Sequence, residues 1–167
     1  MAVQSDYRYS LTVNGSSQFE VVRFVLKEHL STLFRLELDL ASFGAEPNFH
    51  YLIDQPATLT FWQGDEAVRS VNGIVTALNQ GETGFTRTRY HMVIEPSLCR
   101  AGLQTDLRIF QQQDSQKIIE TLLSKNQVPQ SQFHLQTPYW TREYCVQYRE
   151  TDLNFIQRLA AEEGSYY

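Results

Sequence analysis

Over roughly the first hundred residues, apolar side chains recur at every second position, which restricts this stretch to pleated strands with one buried face. Tyr7, Tyr9, Leu11 and Val13 alternate with Arg8, Ser10 and Thr12 and stop at Asn14-Gly15, a dipeptide suited to a tight turn with positive φ. Val22, Phe24 and Leu26 alternate with Arg23 and Lys27. After a break at Glu28-His29-Leu30-Ser31, Phe34, Leu36, Leu38 and Leu40 alternate with Arg35, Glu37 and Asp39. Past a loop carrying Gly44, Pro47 and Pro56, Ala57, Leu59 and Phe61 alternate with Thr58, Thr60 and Trp62 and end at Gln63-Gly64-Asp65. Two longer strands follow, from Val68 to Leu78 and from Phe85 to Glu95, joined across residues 80–84 and closed by Pro96. Antiparallel strands with such short turns hide their edges by closing or stacking, so residues 1–100 are expected to form a small antiparallel β-barrel or sandwich.

The period changes near Ser97. Asp114 or Ser115 is placed to cap a helix through Lys125, with Ile118, Ile119, Leu122 and Leu123 on one face. Strand-like pieces follow at Phe133 to Leu135 and Tyr144 to Tyr148. A second helix fits Asp152 to Glu163, capped by Thr151 and stopped by Gly164, with Leu153, Ile156, Leu159 and Ala160 on its inner face. Ser165-Tyr166-Tyr167 reads as the first residues of another strand. Residues 101–167 are therefore expected to be part of an α/β module with two helices, truncated at its C-terminal side. The fold class is α+β, mainly β.

Charge and hydropathy narrow the function. Lys and Arg number 14 against 19 Asp and Glu, a net charge of −5, so no positive field draws phosphates and nucleic acid is disfavoured as a partner. No apolar run approaches the roughly 20 residues a spanning helix needs, so no membrane-spanning segment is expected. The start, Met1 to Tyr9, lacks a basic leader with an apolar block, which predicts no signal peptide and cytoplasmic synthesis.

The phosphate-loop, GxGxxG, HExxH, GxSxG and EF-hand patterns are all missing from the sequence. His29, His50, His91 and His134 lie far apart, so neither a metal nor a cofactor is expected. Cys99 and Cys145 are too few for a disulfide scaffold. Cys145 with His134, or Cys99 with His91, would be the nucleophilic pairs, but the apolar neighbours Val146 and Leu98 favour buried thiols. No catalytic residue is assigned. Arg87, Arg89 and His91 share a strand face, read as a solvated face balanced by Glu82 and Glu95 in preference to an anion site. Among Glu150, Asp152, Glu162 and Glu163, Asp152 suits a helix N-terminus. Glu162 and Glu163 lie at the negative end of the same helix, where Arg158 four residues earlier helps Glu162 only a little, so a tertiary or intersubunit partner is expected.

The stretch from Arg142 to Tyr167 carries a specific pattern: Gln147-Tyr148 closing a strand, Arg149-Glu150-Thr151-Asp152 as a cap, a helix core of Phe155-Ile156 and Arg158-Leu159, then Glu162-Glu163-Gly164. It resembles the VgrG family, the spike proteins at the tip of bacterial type VI secretion systems. Asp106 to Gln111, Asp114 to Ile119, and the early strand pair with Glu28 and Leu30-Ser31 between its arms also resemble that family. Ser165 departs from it, since an aliphatic residue is more usual there.

The resemblance implies a structural role rather than an enzyme: the N-terminal hub part of a trimeric spike, similar to the baseplate hub of contractile phage tails. It implies a homotrimer in the full-length form, seated on a hexameric Hcp-like tube protein, with spike-tip protein and effectors bound through regions not present here. It also implies assembly in the cytoplasm, then secretion by the type VI machine to the extracellular space or target cell. In that family the hub has two related barrels with an α/β part between them. The signature residues are then fold determinants, with Glu162 and Glu163 as candidate intersubunit contacts. The alternatives are a baseplate hub or late control protein of a contractile phage tail and, from another class, a Cys- or carboxylate-dependent hydrolase.

Overall fold

The computed structural model describes residues 7–43, 48–128, 131–134 and 139–167. Gly44, Pro47, Leu135 and the start before Tyr7 lie outside the described residues. The described residues divide into two compact units. One ends at Pro96; the other begins at Ser97 and takes in the segment His29–Leu33.

The first unit is a six-stranded antiparallel sheet built from β1 (Tyr7–Val13), β2 (Glu20–His29), β3 (Thr32–Ser42), β4 (Pro56–Gln63), β5 (Glu66–Thr83) and β6 (Thr88–Glu95). The strand order is β1-β4-β5-β6-β3-β2. The predicted alternation sets its core: Leu11, Val13, Leu36, Leu38, Leu40, Leu59, Met92 and Ile94 are all buried, while Glu37, Asp39 and His91 point the other way. The Asn14-Gly15 turn forms as expected, with φ of 49° and 75°, closed by reciprocal Val13 and Ser16 backbone hydrogen bonds of 2.9 Å. Pro56 opens β4 instead of sitting in the loop, at the first strand position, where its missing N–H matters least.

The sheet curls into a half-barrel. Tyr9 on edge strand β1 and Phe24 on edge strand β2 meet with ring centroids 5.0 Å apart, and both pack edge-on against Phe61 of β4 at 5.4 and 5.3 Å. Register shifts at Phe61/Trp62 and between Val75 and Ala77 bend the strands. Gly73 permits the tight approach of β5 to β6, because a Cβ there would lie 2.5 Å from the Glu95 carbonyl oxygen.

Three boundaries differ from the sequence reading. β5 continues through residues 80–83 and β6 begins at Thr88, which leaves Phe85 fully exposed in the turn. This polar end of the hairpin is exposed on β5, so backbone pairing of Gln80 with Tyr90 and of Thr83 with Thr88 extends the strand without a hydrophobic signal. β2 runs on to His29, and Val22 is half-exposed while Val21 packs on the core.

The second unit pairs β7 (Thr105–Gln113) with β8 (Arg142–Thr151), and α1 (Ser115–Lys125) and α2 (Asp152–Glu162) complete it. Ile118, Ile119, Leu122 and Leu123 of α1 pack with Phe110, Cys145, Phe155, Ile156 and Leu159. Asp114 caps α1 by accepting the Lys117 N–H at 2.8 Å, and Thr151 caps α2 by accepting the Asn154 N–H at 3.0 Å. α2 ends at Glu162 with Glu163 as its cap, and Gly164 at φ 67° completes a stop in which Gly164 and Ser165 donate to the Ala161 and Ala160 carbonyls. On the inner face of α2, Phe155 is buried and Ala160 only half-buried. β7 is a strand the periodicity did not indicate. Phe133 and His134 are not in a strand, nor are residues 165–167, although the Tyr167 carbonyl accepts the Ser31 N–H at 2.9 Å.

Candidate functional site

The signature residues converge where β8 turns into α2. Asp152, the first residue of α2, has a side chain only 1% exposed. Its carboxylate accepts hydrogen bonds from Gln147 Nε2 at 2.8 Å, Asn126 Nδ2 at 2.9 Å and Lys125 Nζ at 3.0 Å, with the Arg108 guanidinium 3.7 Å away. Burial alone would raise its pKa, but the donors from Asn126, Gln147 and Lys125 outweigh that and hold the group below the ordinary carboxylate value. Gln147 is itself wholly buried and also donates to the Glu150 carbonyl at 3.1 Å, tying the strand end to the helix start. Asp106 lies beside this knot, bonded to Arg108 and to its neighbour's backbone N–H, and its pKa falls to about 2, chiefly through the Arg108 contact.

The second cluster compensates the helix C-terminus. Arg142, at the start of β8, contacts Glu162 at 2.8 Å and Glu163 at 2.7 Å. Its Nε also donates to Ser115 Oγ, whose hydroxyl donates to Glu163 at 2.6 Å. Arg158 binds Glu150 at 2.6 Å, Glu162 at 3.1 Å and the Val146 carbonyl at 3.0 Å. Glu162 titrates below its usual range because of the Arg142 contact, and Glu163 because of the Ser115 hydroxyl first and Arg142 second. The partner expected for Glu162 and Glu163 is thus present within the chain. Arg142, Ser115, Lys125 and Asn126 were not singled out by sequence reasoning as site residues. Lys125 read as a helix C-terminal cation, and only the tertiary fold shows that it reaches Asp152.

The aromatic and aliphatic signature residues fill the core. Phe155 stacks on Phe110 at 5.8 Å, and Arg158 lies 5.0 Å from the Phe155 ring centre. Ile156 and Leu159 are buried beside it. Cys145 is buried in the same core, which pushes its thiol pKa up and away from nucleophilic use. Among the described residues no group of three or more His, Cys, Asp and Glu side chains is arranged to hold a metal. On the Arg87–Arg89–His91 face, His91 contacts Asp39 at 3.1 Å, while Glu95 pairs with Arg35 at 3.0 Å. Among the described residues, no helix is long and apolar enough to cross a membrane.

A family model described as phage tail baseplate hub (GPD) matches residues 27–167. Type VI secretion system spike protein VgrG2a of Pseudomonas aeruginosa is 40% identical over 165 residues, covering 98% of this chain and 20% of that protein. Spike protein VgrG3 of Vibrio cholerae is 42% identical over 134 residues, covering 80% of this chain and 13% of that protein. The chain therefore spans about a fifth or less of the length of these relatives. Among solved structures, an E. coli type VI secretion component, described as structurally similar to T4 phage tail proteins gp27 and gp5, superposes with a TM-score of 0.80 at 26% identity. It covers 91% of this chain and 42% of its own. A prophage MuSo2 tail protein from Shewanella oneidensis gives a TM-score of 0.65 at 12% identity over 95% of this chain and 49% of its own, a likeness of fold alone.

Proposed function

We propose, from the premise that this chain belongs to the phage tail baseplate hub (GPD) family, that it is a structural hub component of a type VI secretion spike. The supporting observation is what the signature residues do. Gln147, Asp152, Arg158, Glu162 and Glu163 hold β8, α1 and α2 together and present no reactive group. A hub works by rigidity and interface burial, and a joint tied by buried hydrogen bonds and ion pairs suits that task. The hydrolase alternative has little to draw on, since the Cys145 thiol is buried and Glu150, Asp152, Glu162 and Glu163 are each engaged by cations.

In this reading copies of the chain, within the full-length protein, form a trimer that caps a hexameric tube protein. Spike-tip protein and effectors are carried by regions beyond these residues. Assembly takes place in the cytoplasm, and export follows through the machine itself. Residues 1–100 supply the first barrel and 101–167 the beginning of the α/β part. A hub of a contractile phage tail is the second reading, favoured by the family description and by the fold shared with the prophage tail protein. Electron microscopy of tube-protein assemblies incubated with the chain tests the reading. Threefold density at one tube end is expected, and tubes with bare ends at saturating chain would count against it.

A further inference from the structure

We propose that the β8–α2 junction binds one structural water, held between Gln147, Asp152 and Arg108. The site does not depend on the hub reading; it adds a ligand to the joint that Asp152 organises.

The first observation is a buried acceptor without a donor. Gln147 is wholly buried, and its amide orientation is fixed, because Nε2 donates to two acceptors, Asp152 Oδ1 at 2.8 Å and the Glu150 carbonyl at 3.1 Å. Turning the amide over would set Oε1 against both of those oxygens. Oε1 therefore points elsewhere, and among the described residues nothing donates to it, although it is shut off from bulk solvent. A buried carbonyl oxygen left in that state loses its hydration without return, which native interiors avoid.

The second observation, independent of the first, is a gap across the strand pair. The ladder sets Arg108 of β7 opposite Gln147 of β8, on the face that also carries Phe110 and Cys145 into the core. Arg108 Nη2 stands 3.7 Å from Asp152 Oδ1, opposite in charge but beyond hydrogen-bond reach. It cannot move closer without giving up Asp106, to which the same nitrogen is bonded. Asp106 is in turn anchored by the Leu107 N–H at 2.8 Å and by Lys125 at 3.4 Å. A separation of this size between polar groups is one that a water bridges.

Donors and acceptors then match. A carboxylate oxygen accepts about two hydrogen bonds. Asp152 Oδ2 has two, from Lys125 at 3.0 Å and Asn126 at 2.9 Å, whereas Oδ1 has only the one from Gln147. The junction thus offers two acceptor positions, on Gln147 Oε1 and Asp152 Oδ1, and an Arg108 N–H as donor. One water fills this set by donating a hydrogen to each oxygen and accepting from the guanidinium, about the three bonds usual for a buried water. The three groups meet at Asp152 Oδ1, which the Gln147 amide bonds and Arg108 faces.

Charge selects a neutral ligand. Asp106 and Asp152 are already balanced by Arg108 and Lys125, so a cation would be uncompensated and an anion would meet two carboxylates. The same reasoning accounts for the residue type at 147. Methionine would fill the space but leave Asp152 and Arg108 short of partners, and glutamate would bring a third carboxylate to a cluster neutralised at two.

A high-resolution crystal structure of the chain, paired with oxygen-17 water relaxation dispersion of wild type and Gln147→Met in solution, tests the site. The map is expected to show one peak about 2.7–3.2 Å from each of Gln147 Oε1, Asp152 Oδ1 and Arg108 Nη2. The relaxation amplitude counts waters held longer than the protein tumbles, and it is expected to fall by about one water in Gln147→Met. A map without that peak, or with Arg108 bonded directly to Gln147 Oε1 or Asp152 Oδ1, overturns the site. So does a peak ringed by about six or more oxygens at about 2.3–2.6 Å, which would be a cation. An equal count of long-lived waters in the two proteins overturns it as well. The wild-type map keeps the test decisive if Gln147→Met fails to fold.

Discussion

Replacing Asp152 by Ala removes the acceptor around which the β8–α2 junction is built. Three donors lose a partner, Gln147 at 2.8 Å, Asn126 at 2.9 Å and Lys125 at 3.0 Å, but they do not lose equally. Lys125 is 34% exposed and keeps Asp106, so it turns to water. Asn126 keeps the Leu122 carbonyl at 2.8 Å. Gln147 is wholly buried and is left with only the Glu150 carbonyl. The expected cost therefore sits at the lower end of that for a broken buried pair, about 3 kcal/mol out of a typical domain stability of about 5–15. In a chain of this size that lowers the melting temperature by roughly 6–12 °C. Asp152→Asn keeps an acceptor for Lys125 and Asn126 without the charge and should fall between wild type and Ala. Urea unfolding supplies the free energy, and hydrogen exchange locates the loss in α1 and α2 amides. A cost under about 1 kcal/mol, or protection lost only in the six-stranded sheet, would refute the reasoning.

Arg142→Ala should cost about 1–2 kcal/mol by urea unfolding, discounted because the Glu162 side chain is 40% exposed. The Arg142→Ala/Glu163→Ala cycle should show coupling above about 0.5 kcal/mol, and additivity would deny the clamp. Gly73→Ala should destabilise the first unit by about 1–3 kcal/mol because its Cβ meets the Glu95 carbonyl and Ile94. Gly81→Ala, whose nearest neighbour would lie at 3.5 Å, should be tolerated, and equal costs would contradict the packing account. Acid should weaken the second unit. Asp106, Asp152, Glu162 and Glu163 all titrate below their ordinary values, so between the unfolded and folded pKa the unfolded chain binds more protons. Their contribution is complete above about pH 5 and is lost as pH falls through the folded values, for Asp106 down to about 2; stability that stays flat from pH 5 to 3 would be inconsistent with this.

Where one face meets a core and the other meets water, local chemistry was enough to read the chain. β1, β3 and β4 follow from alternation, the first turn from Asn14-Gly15, and both helices from Asp114 and Thr151 as caps. The end of β5 was not legible because the 80–83 stretch buries nothing and is held extended by its ladder with β6. The candidate site was half-legible. Glu162 and Glu163 stood out as charges wanting a partner and Asp152 read as a helix N-terminal charge, but Lys125, Asn126 and Ser115 reach them from α1 and its C-cap, and Arg142 from the far end of β8. Spacing along the chain carries no trace of contacts made 20 or more residues away.

β7 was missed for a different reason, and that reason bears on function. Its inward positions are Asp106, Arg108 and Phe110, and its outward ones are Leu107 and Ile109, so polarity is nearly reversed. The inward charges are stable because Arg108, Asp106, Lys125 and Asp152 neutralise one another around the junction. That accounts for the inner face only. Leaving Leu107, Ile109, Tyr144 and Tyr148 in water forgoes about 25 cal/mol for each Å² of apolar surface. Polar substitutes there would cost the unit little, since none of these side chains belongs to its core. A strand apolar on its open side and ion-paired on its closed side makes physical sense when the open side is covered in the working assembly.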